Sequence, residues 1–196
     1  MKLVIITGTP GCGKSTLTKK ISERMDSIYI SINKLVHSKR FIKDYDEKRD
    51  TYIADHDKLI PYLIDLIEKV KASKDNFFFI EGHFADIIPN RFIDLVIILR
   101  CHPDILKQRL KKRNYKESKI KENIQAEILG NSTNYILEKN LDCPIYEIDT
   151  GAKTINECQK IIEKILKNRE IKNYKVGKID WLCELSKKNR LNEFFD

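Results

Sequence analysis

Three of the seven glycines in the chain, Gly8, Gly11 and Gly13, fall within six residues and run directly into Lys14-Ser15-Thr16. The string Gly8-Thr9-Pro10-Gly11-Cys12-Gly13-Lys14-Ser15 has the spacing G-x-x-x-x-G-K-[ST]. Glycines at these places let a backbone turn sharply and bring its N–H groups against a phosphate. A helix starting at Lys14 presents its positive end to the same phosphates. In such a loop Lys14 reaches the β- and γ-phosphates of a nucleoside triphosphate, the Ser15 hydroxyl holds Mg²⁺, and Thr16 contacts the α-phosphate. Cys12 occupies a variable position and reads as small filler.

Other residues could act on the same phosphates. Glu81 ends an apolar run, at the edge where open α/β sheets bind ligands, and a carboxylate there can hold the waters of Mg²⁺. His83 follows two residues later; it either orients a water or an acceptor phosphate, or is an ordinary turn histidine. Arg109 and Arg113 are four apart and share a helical face. Two guanidiniums converging on a transferring phosphoryl group would neutralise its charge; the plainer alternative is a solvated basic helix.

These residues need a scaffold. Short runs rich in Ile, Val and Phe recur at Leu3–Ile6, Ile28–Ile30, Phe77–Ile80, Leu95–Leu99 and Ile145–Ile148. Such runs suit strands buried on both faces of a parallel sheet. Helical spacing lies between them, over Lys14–Met25, Lys58–Val70, Pro103–Arg113, Glu117–Asn140 and Thr154–Lys167. Strands alternating with helices imply an α/β layered domain. Glu170–Asp196 reads as an appendage whose apolar cluster, Ile179, Trp181, Leu182 and Leu185, forms one short helix on the body.

Composition narrows the classes. With 41% hydrophobic and 34% charged residues, the 196-residue chain is too apolar for a disordered polyelectrolyte and too charged for a membrane protein. No apolar run approaches the ~18 residues that span a bilayer. Five cysteines without C-x-x-C spacing argue against a disulfide framework or zinc site and for a reducing, cytoplasmic setting. The net charge of +8 is uneven: residues 102–121 hold 8 basic and 2 acidic side chains. That block contains both arginines, so the excess sits where phosphate chemistry needs cations. No basic, aromatic-rich strand suited to stacking bases is present.

A guanine-reading N-K-x-D string is absent, and the chain is short for a motor. The small size, the polar segment Asn33–Asp57 and the basic segment Lys111–Lys121 suggest a nucleoside monophosphate kinase with donor site, acceptor site and cationic lid. The phosphate loop, Glu81-Gly82-His83 with Asp86, Pro89 and Arg91, the run Leu99-Arg100, and Arg109…Arg113-Asn114-Tyr115 with Lys119, Asn123 and Glu127 resemble the divergent nuclear-type adenylate kinases that double as ribosome-assembly NTPases.

The resemblance runs from Met1 to about Lys167. It implies a P-loop three-layer α/β fold with a five-stranded parallel sheet of order 2-3-1-4-5. The kinase domain would span residues 1–168, with an acceptor insertion at about 31–57, a short lid at about 111–121 and a helical appendage at 169–196. It implies Mg²⁺-dependent phosphoryl exchange between ATP and a nucleoside monophosphate, AMP foremost, with an ATPase activity. It also implies transient binding to a platform protein of the small ribosomal subunit within a pre-ribosomal particle. By the same resemblance Gly151 and Ala152 pass the adenine, and Asn33, His37, Tyr45 and Asp46 lie on the acceptor side. Asn33 stands within Ser31–Leu35, where the family has a Gly-Asp pair, and His37 stands where it has an arginine. Lys34, Lys39 or Arg40 would have to supply that charge, and a lysine does not reproduce a bidentate fork. Where the family has glycine this chain has Asn114, which also tolerates the left-handed conformation. A second reading, an ATP-gated assembly factor with little kinase activity, follows from those acceptor-side departures.

Overall fold

Each apolar run becomes a strand because it carries β-branched or aromatic side chains toward both faces and has helices to cover them. The computed structural model describes residues 1–47, 51–71, 76–169 and 171–195, with Lys39 and Arg40 described by backbone alone. In chain order the elements are β1 Lys2–Thr7, α1 Lys14–Met25, β2 Ile28–Ser31, α2 Ile32–Leu35, β3 Ile42–Asp46, β4 Thr51–Ala54, α3 His56–Lys71, β5 Phe77–Glu81, β6 Leu95–Arg100, α4 Pro103–Lys111, α5 Glu117–Ile128, α6 Asn131–Glu138, β7 Ile145–Asp149, α7 Ile155–Leu166, α8 Trp181–Lys187 and α9 Asn192–Phe195. The main sheet runs β2-β5-β1-β6-β7, all parallel. Counted among its own strands, this is the expected order 2-3-1-4-5.

Alternation along β1 divides the core. Val4 and Ile6 face one layer with Leu17 and Ile21 of α1, Leu106 and Leu110 of α4, Ile124 of α5 and Ile162 of α7. Leu3 and Ile5 face the other, with Leu59, Leu63 and Ile67 of α3. β1 lies between β5 and β6, so the loop that follows it emerges at the middle of the sheet's carboxyl edge.

Several boundaries differ from the sequence reading. The stretch expected as one helix over Glu117–Asn140 is two helices, because Gly130 is left-handed at φ 68°. The break swings the chain around the sheet: α5 packs in one core layer, whereas Ile136 of α6 packs in the other. The helix expected over Pro103–Arg113 ends at Lys111, and Asn114 just beyond it has φ 56°, the conformation foreseen for it. The polar segment between β2 and α3 contains an antiparallel hairpin, β3 with β4; residues 48–50 lie outside the described residues. The tail forms two helices, α8 and α9, rather than one. It buries Trp181, Leu185 and Phe194, while Leu182 is exposed. Among the described residues no helix is long and apolar enough to cross a membrane, and all five cysteines are free thiols.

Candidate nucleotide site

The strand ends bring the site together. In register, Ile6 of β1 lies beside Glu81 of β5, and Arg100 of β6 beside Asp149 of β7. The loop after β1 therefore opens between Glu81 and the ends of β6 and β7. Gly8 has φ 140°, and a Cβ there would stand 2.2 Å from the Leu99 carbonyl oxygen. A backbone oxygen in a central strand cannot yield, so this turn is closed to any other residue. Gly8→Ala is expected to destabilise the fold by ~1–3 kcal/mol, read as a lowered urea midpoint.

Lys14 is buried, and its ammonium donates to the carbonyls of Gly8 (2.6 Å) and Thr9 (3.1 Å). Burial lowers its pKa, which the nearby Glu81 and Glu127 charges partly oppose. Two neutral carbonyls satisfy such a cation less well than phosphate oxygens would, so the ammonium is poised to exchange them. The Ser15 hydroxyl donates to Glu81 Oε1 at 3.0 Å, and Glu81 is 1% exposed. A hydroxyl and a carboxylate at hydrogen-bond distance are hard oxygen donors of the kind that Mg²⁺ selects, so this pair fits the ion.

On the same flank stands His83, its ring packed edge-on against Phe84 with centroids 4.5 Å apart. Desolvation, then the charges of Lys14 and Lys119, lower its pKa to about 4. The imidazole is thus neutral at pH 7 and keeps a lone pair to accept a proton or hydrogen bond.

The other flank is a cavity of about 300 Å³. Gly11, Cys12, Gly13 and Thr16 line it from the loop side, Arg109, Lys112 and Arg113 from α4 and its exit, and Thr150, Lys153, Ile155 and Cys158 from the end of β7 and the start of α7. Arg109 and Arg113 both line this space, but α4 ends at Lys111, so Arg113 stands in the turn beyond the helix and not on the shared helical face expected from the spacing. Arg109, however, spends its donors on Thr150, to Oγ1 at 3.0 Å and to the carbonyl at 2.7 Å. Both terminal nitrogens are thus tied to the end of β7, which leaves less of a free bidentate fork. Burial pushes the Cys12 thiol well up, so Cys12 remains a neutral packing group.

Gly151 and Ala152 leave the wall of this cavity to their neighbours Thr150 and Lys153. A Cβ at Gly151 would lie 3.1 Å from Asp149 Oδ1 and 3.2 Å from the His102 nitrogen, so a small residue is needed there for packing. None of Asn33, His37, Tyr45 and Asp46 lines the cavity. Asn33 lies in α2 and its buried Oδ1 has no hydrogen-bond partner among the described residues. The ring of His37 meets Tyr52 edge-on at 5.4 Å, and Tyr52 meets Tyr45 at 5.1 Å. These side chains form an aromatic cluster on the insertion. The side chains of Lys39 and Arg40 lie outside the described residues.

Sequence reasoning missed Thr9, Thr150 and the weight of Glu127. Glu127 is 1% exposed and accepts from the Thr9 hydroxyl of the phosphate loop. It also accepts from Arg100 Nε at 2.8 Å. Arg100 pairs in turn with Glu147 at 3.0 Å, so a buried guanidinium joins β6, α5 and β7 behind the loop. Burial opposes the Arg100 charge, but the two carboxylates outweigh it and raise its pKa. The available signal was Arg100 itself, a charge closing a six-residue strand otherwise made of Leu, Val and Ile.

Comparison with known proteins places this geometry. A family profile described as an AAA domain matches residues 4–130. The Methanocaldococcus jannaschii protein named "Putative adenylate kinase" is 35% identical over 178 residues, covering 91% of this chain and 92% of its own. The Caenorhabditis elegans adenylate kinase isoenzyme 6 homolog is 31% identical over 162 residues, covering 83% of this chain and 86% of its own. Among solved structures, deoxyadenosine kinase from M. mycoides superposes with a TM-score of 0.55 at 16% identity, over 84% of this chain and 99% of that one; at that identity it speaks for the P-loop kinase fold alone.

Proposed function

The chain belongs to the family of P-loop proteins that holds adenylate kinase isoenzyme 6 and its archaeal homologues, and on that premise we propose that it is a nucleoside monophosphate kinase using ATP as donor and AMP as the foremost acceptor. The observation that carries this reading is the two-sided loop: Lys14 and the Ser15–Glu81 pair on one flank, the arginine-lined cavity on the other. ATP would lie along the loop with its base in the cavity against the Arg109 plane. Gly8, Gly11 and Gly13 allow the backbone N–H groups to approach the phosphates, and Thr16 meets the α-phosphate. Lys14 moves from the loop carbonyls to the β- and γ-phosphates. Ser15 and Glu81 would hold Mg²⁺, which when bound would supply charge neutralisation at the phosphate oxygens. Arg113, from the lid, adds positive charge to the transferring group. Neutral His83 accepts a hydrogen bond from the water or acceptor beside the γ-phosphate. Asn33, His37, Tyr45 and Asp46 receive the monophosphate, with Gly151 and Ala152 shaping the strand exit by the base. An ATPase activity follows when water enters the acceptor position, and a cytoplasmic setting suits five free thiols.

A panel with ATP and AMP, CMP, GMP or UMP in turn tests this reading. Formation of the corresponding diphosphate with at least one monophosphate is expected; ADP released at the same rate with every monophosphate and with none would sink it.

A second reading is favoured by the acceptor side, where Asn33 Oδ1 has no partner among the described residues and an imidazole on an aromatic cluster replaces an arginine fork. There ATP closure gates binding to a small-subunit ribosomal platform protein in a pre-ribosomal particle, with little transfer to AMP. ATP-dependent capture of that protein, alongside weak transfer to every monophosphate, is its expected signature.

A further inference from the structure

Among the described residues the carboxylate of Glu127 has five donors, and one comes from the tail. Oε2 accepts from the Thr9 hydroxyl and, at 3.7 Å, from the Cys12 thiol, both in the phosphate loop. Oε1 accepts from Arg100 Nε at 2.8 Å, the Cys101 N–H at 3.1 Å and the indole Nε1 of Trp181 at 3.1 Å. Trp181 opens α8, in the tail. The tail touches the same buried network twice more: the Gly177 N–H donates to Glu147 Oε2 at 2.8 Å, and Arg100 donates to the Ile179 carbonyl at 3.4 Å.

Elsewhere the tail alternates docked and solvent-facing residues: the Val176 N–H donates to the Ile145 carbonyl at 3.4 Å and Leu185 is fully buried. Lys172, Asn173, Lys175, Lys178 and Asp180 are exposed. Further on, Arg190 clasps Asp104 with two bonds of 3.0 Å, and Phe194 inserts beside α5. A segment seated by a few buried side chains opens more readily than the sheet it rests on.

We propose that the tail is a working part of the nucleotide site: Trp181 positions Glu127, Glu127 positions Thr9, and seating of the tail and occupancy of the loop form one coupled equilibrium. The coupling follows from the geometry. The two oxygens of a carboxylate move as a unit, so a donor that holds Oε1 fixes what Oε2 offers to Thr9. The Thr9 carbonyl is one of the two that Lys14 must leave when phosphate enters. Nucleotide binding thus changes the load on Thr9, and by linkage a change in tail seating changes nucleotide affinity equally. Trp181 and Glu127 are positioning residues, since neither lines the cavity.

The inference rests on the nucleotide-binding part of the functional reading, and binding measurements keep the two apart. Trp181 is the only tryptophan of the chain, so indole emission reports the tail directly. In the full-length protein, titration with Mg·ADP is expected to shift that emission, saturating with the affinity that calorimetry gives. Trp181→Phe keeps the ring and loses the N–H, and it is expected to weaken Mg·ADP binding about 3- to 10-fold. A purely structural tail would lower the melting temperature and leave affinity alone. Emission unchanged at saturating Mg·ADP, or wild-type affinity in a folded Trp181→Phe protein, overturns the proposal. Arg190→Gln, remote from the loop, is expected to weaken affinity in the same direction should Trp181→Phe fail to fold. Binding without phosphoryl transfer would sink the kinase reading alone; no binding by the wild type would overturn both.

Discussion

Lys14→Met is expected to lower diphosphate formation by ~10²–10³-fold or more while the protein stays folded. Little covalent work falls to the protein in phosphoryl transfer; positioning and charge stabilisation dominate, and on the proposed reading Lys14 would meet the β- and γ-phosphates. Its ammonium is buried against the Gly8 and Thr9 carbonyls, with burial holding its pKa below the ordinary value. The folded state therefore disfavours this charge before ligand arrives. An apolar side chain of similar length removes that disfavour, so thermal stability is expected to hold or rise as activity collapses. Diphosphate formation and melting temperature, measured on one preparation, check both halves. A parallel loss of stability would mean that Lys14 supports the loop rather than the reaction.

Arg100→Met is expected to produce the opposite pattern, with stability falling first. Arg100 is 2% exposed and reaches Glu127 at 2.8 Å and Glu147 at 3.0 Å, each itself nearly inaccessible. Removing the cation leaves two buried carboxylates facing each other's charge. Breaking a buried pair in this way costs ~3–5 kcal/mol. At ~2–4 °C per kcal/mol for a domain of this size, the melting temperature should fall by roughly 6–20 °C. The exposed pair Lys69–Asp65, at 2.6 Å but largely solvated, serves as the control. Breaking it is expected to cost ~0.2–1 kcal/mol. Similar losses at both places would contradict the network described behind the loop.

The sheet could be read in advance because its information is local. Each strand is a run such as Leu95–Leu99, apolar on both faces, and the phosphate loop is a contiguous string whose spacing is its chemistry. Helix faces carrying Leu59, Leu63 and Ile67, or Ile161, Ile162 and Ile165, likewise declare themselves by period. The harder features depend on distant partners. Glu127 joins Thr9 across 118 residues and Trp181 across 54, and no periodicity encodes either bond. Gly130 breaks the span Glu117–Asn140 in two, and nothing in its sequence neighbourhood says that the next helix must cross to the opposite face. Arg109 donates to Thr150, a partner 41 residues away that helical spacing does not announce.

The central claim is that phosphate passes from ATP to a second nucleotide rather than to water, and product stoichiometry tests it most directly. With wild-type protein, Mg²⁺, ATP and AMP, the account predicts two ADP formed per ATP consumed, AMP falling in step and no inorganic phosphate beyond the level seen without AMP. One ADP and one inorganic phosphate per ATP, with AMP untouched, would contradict it.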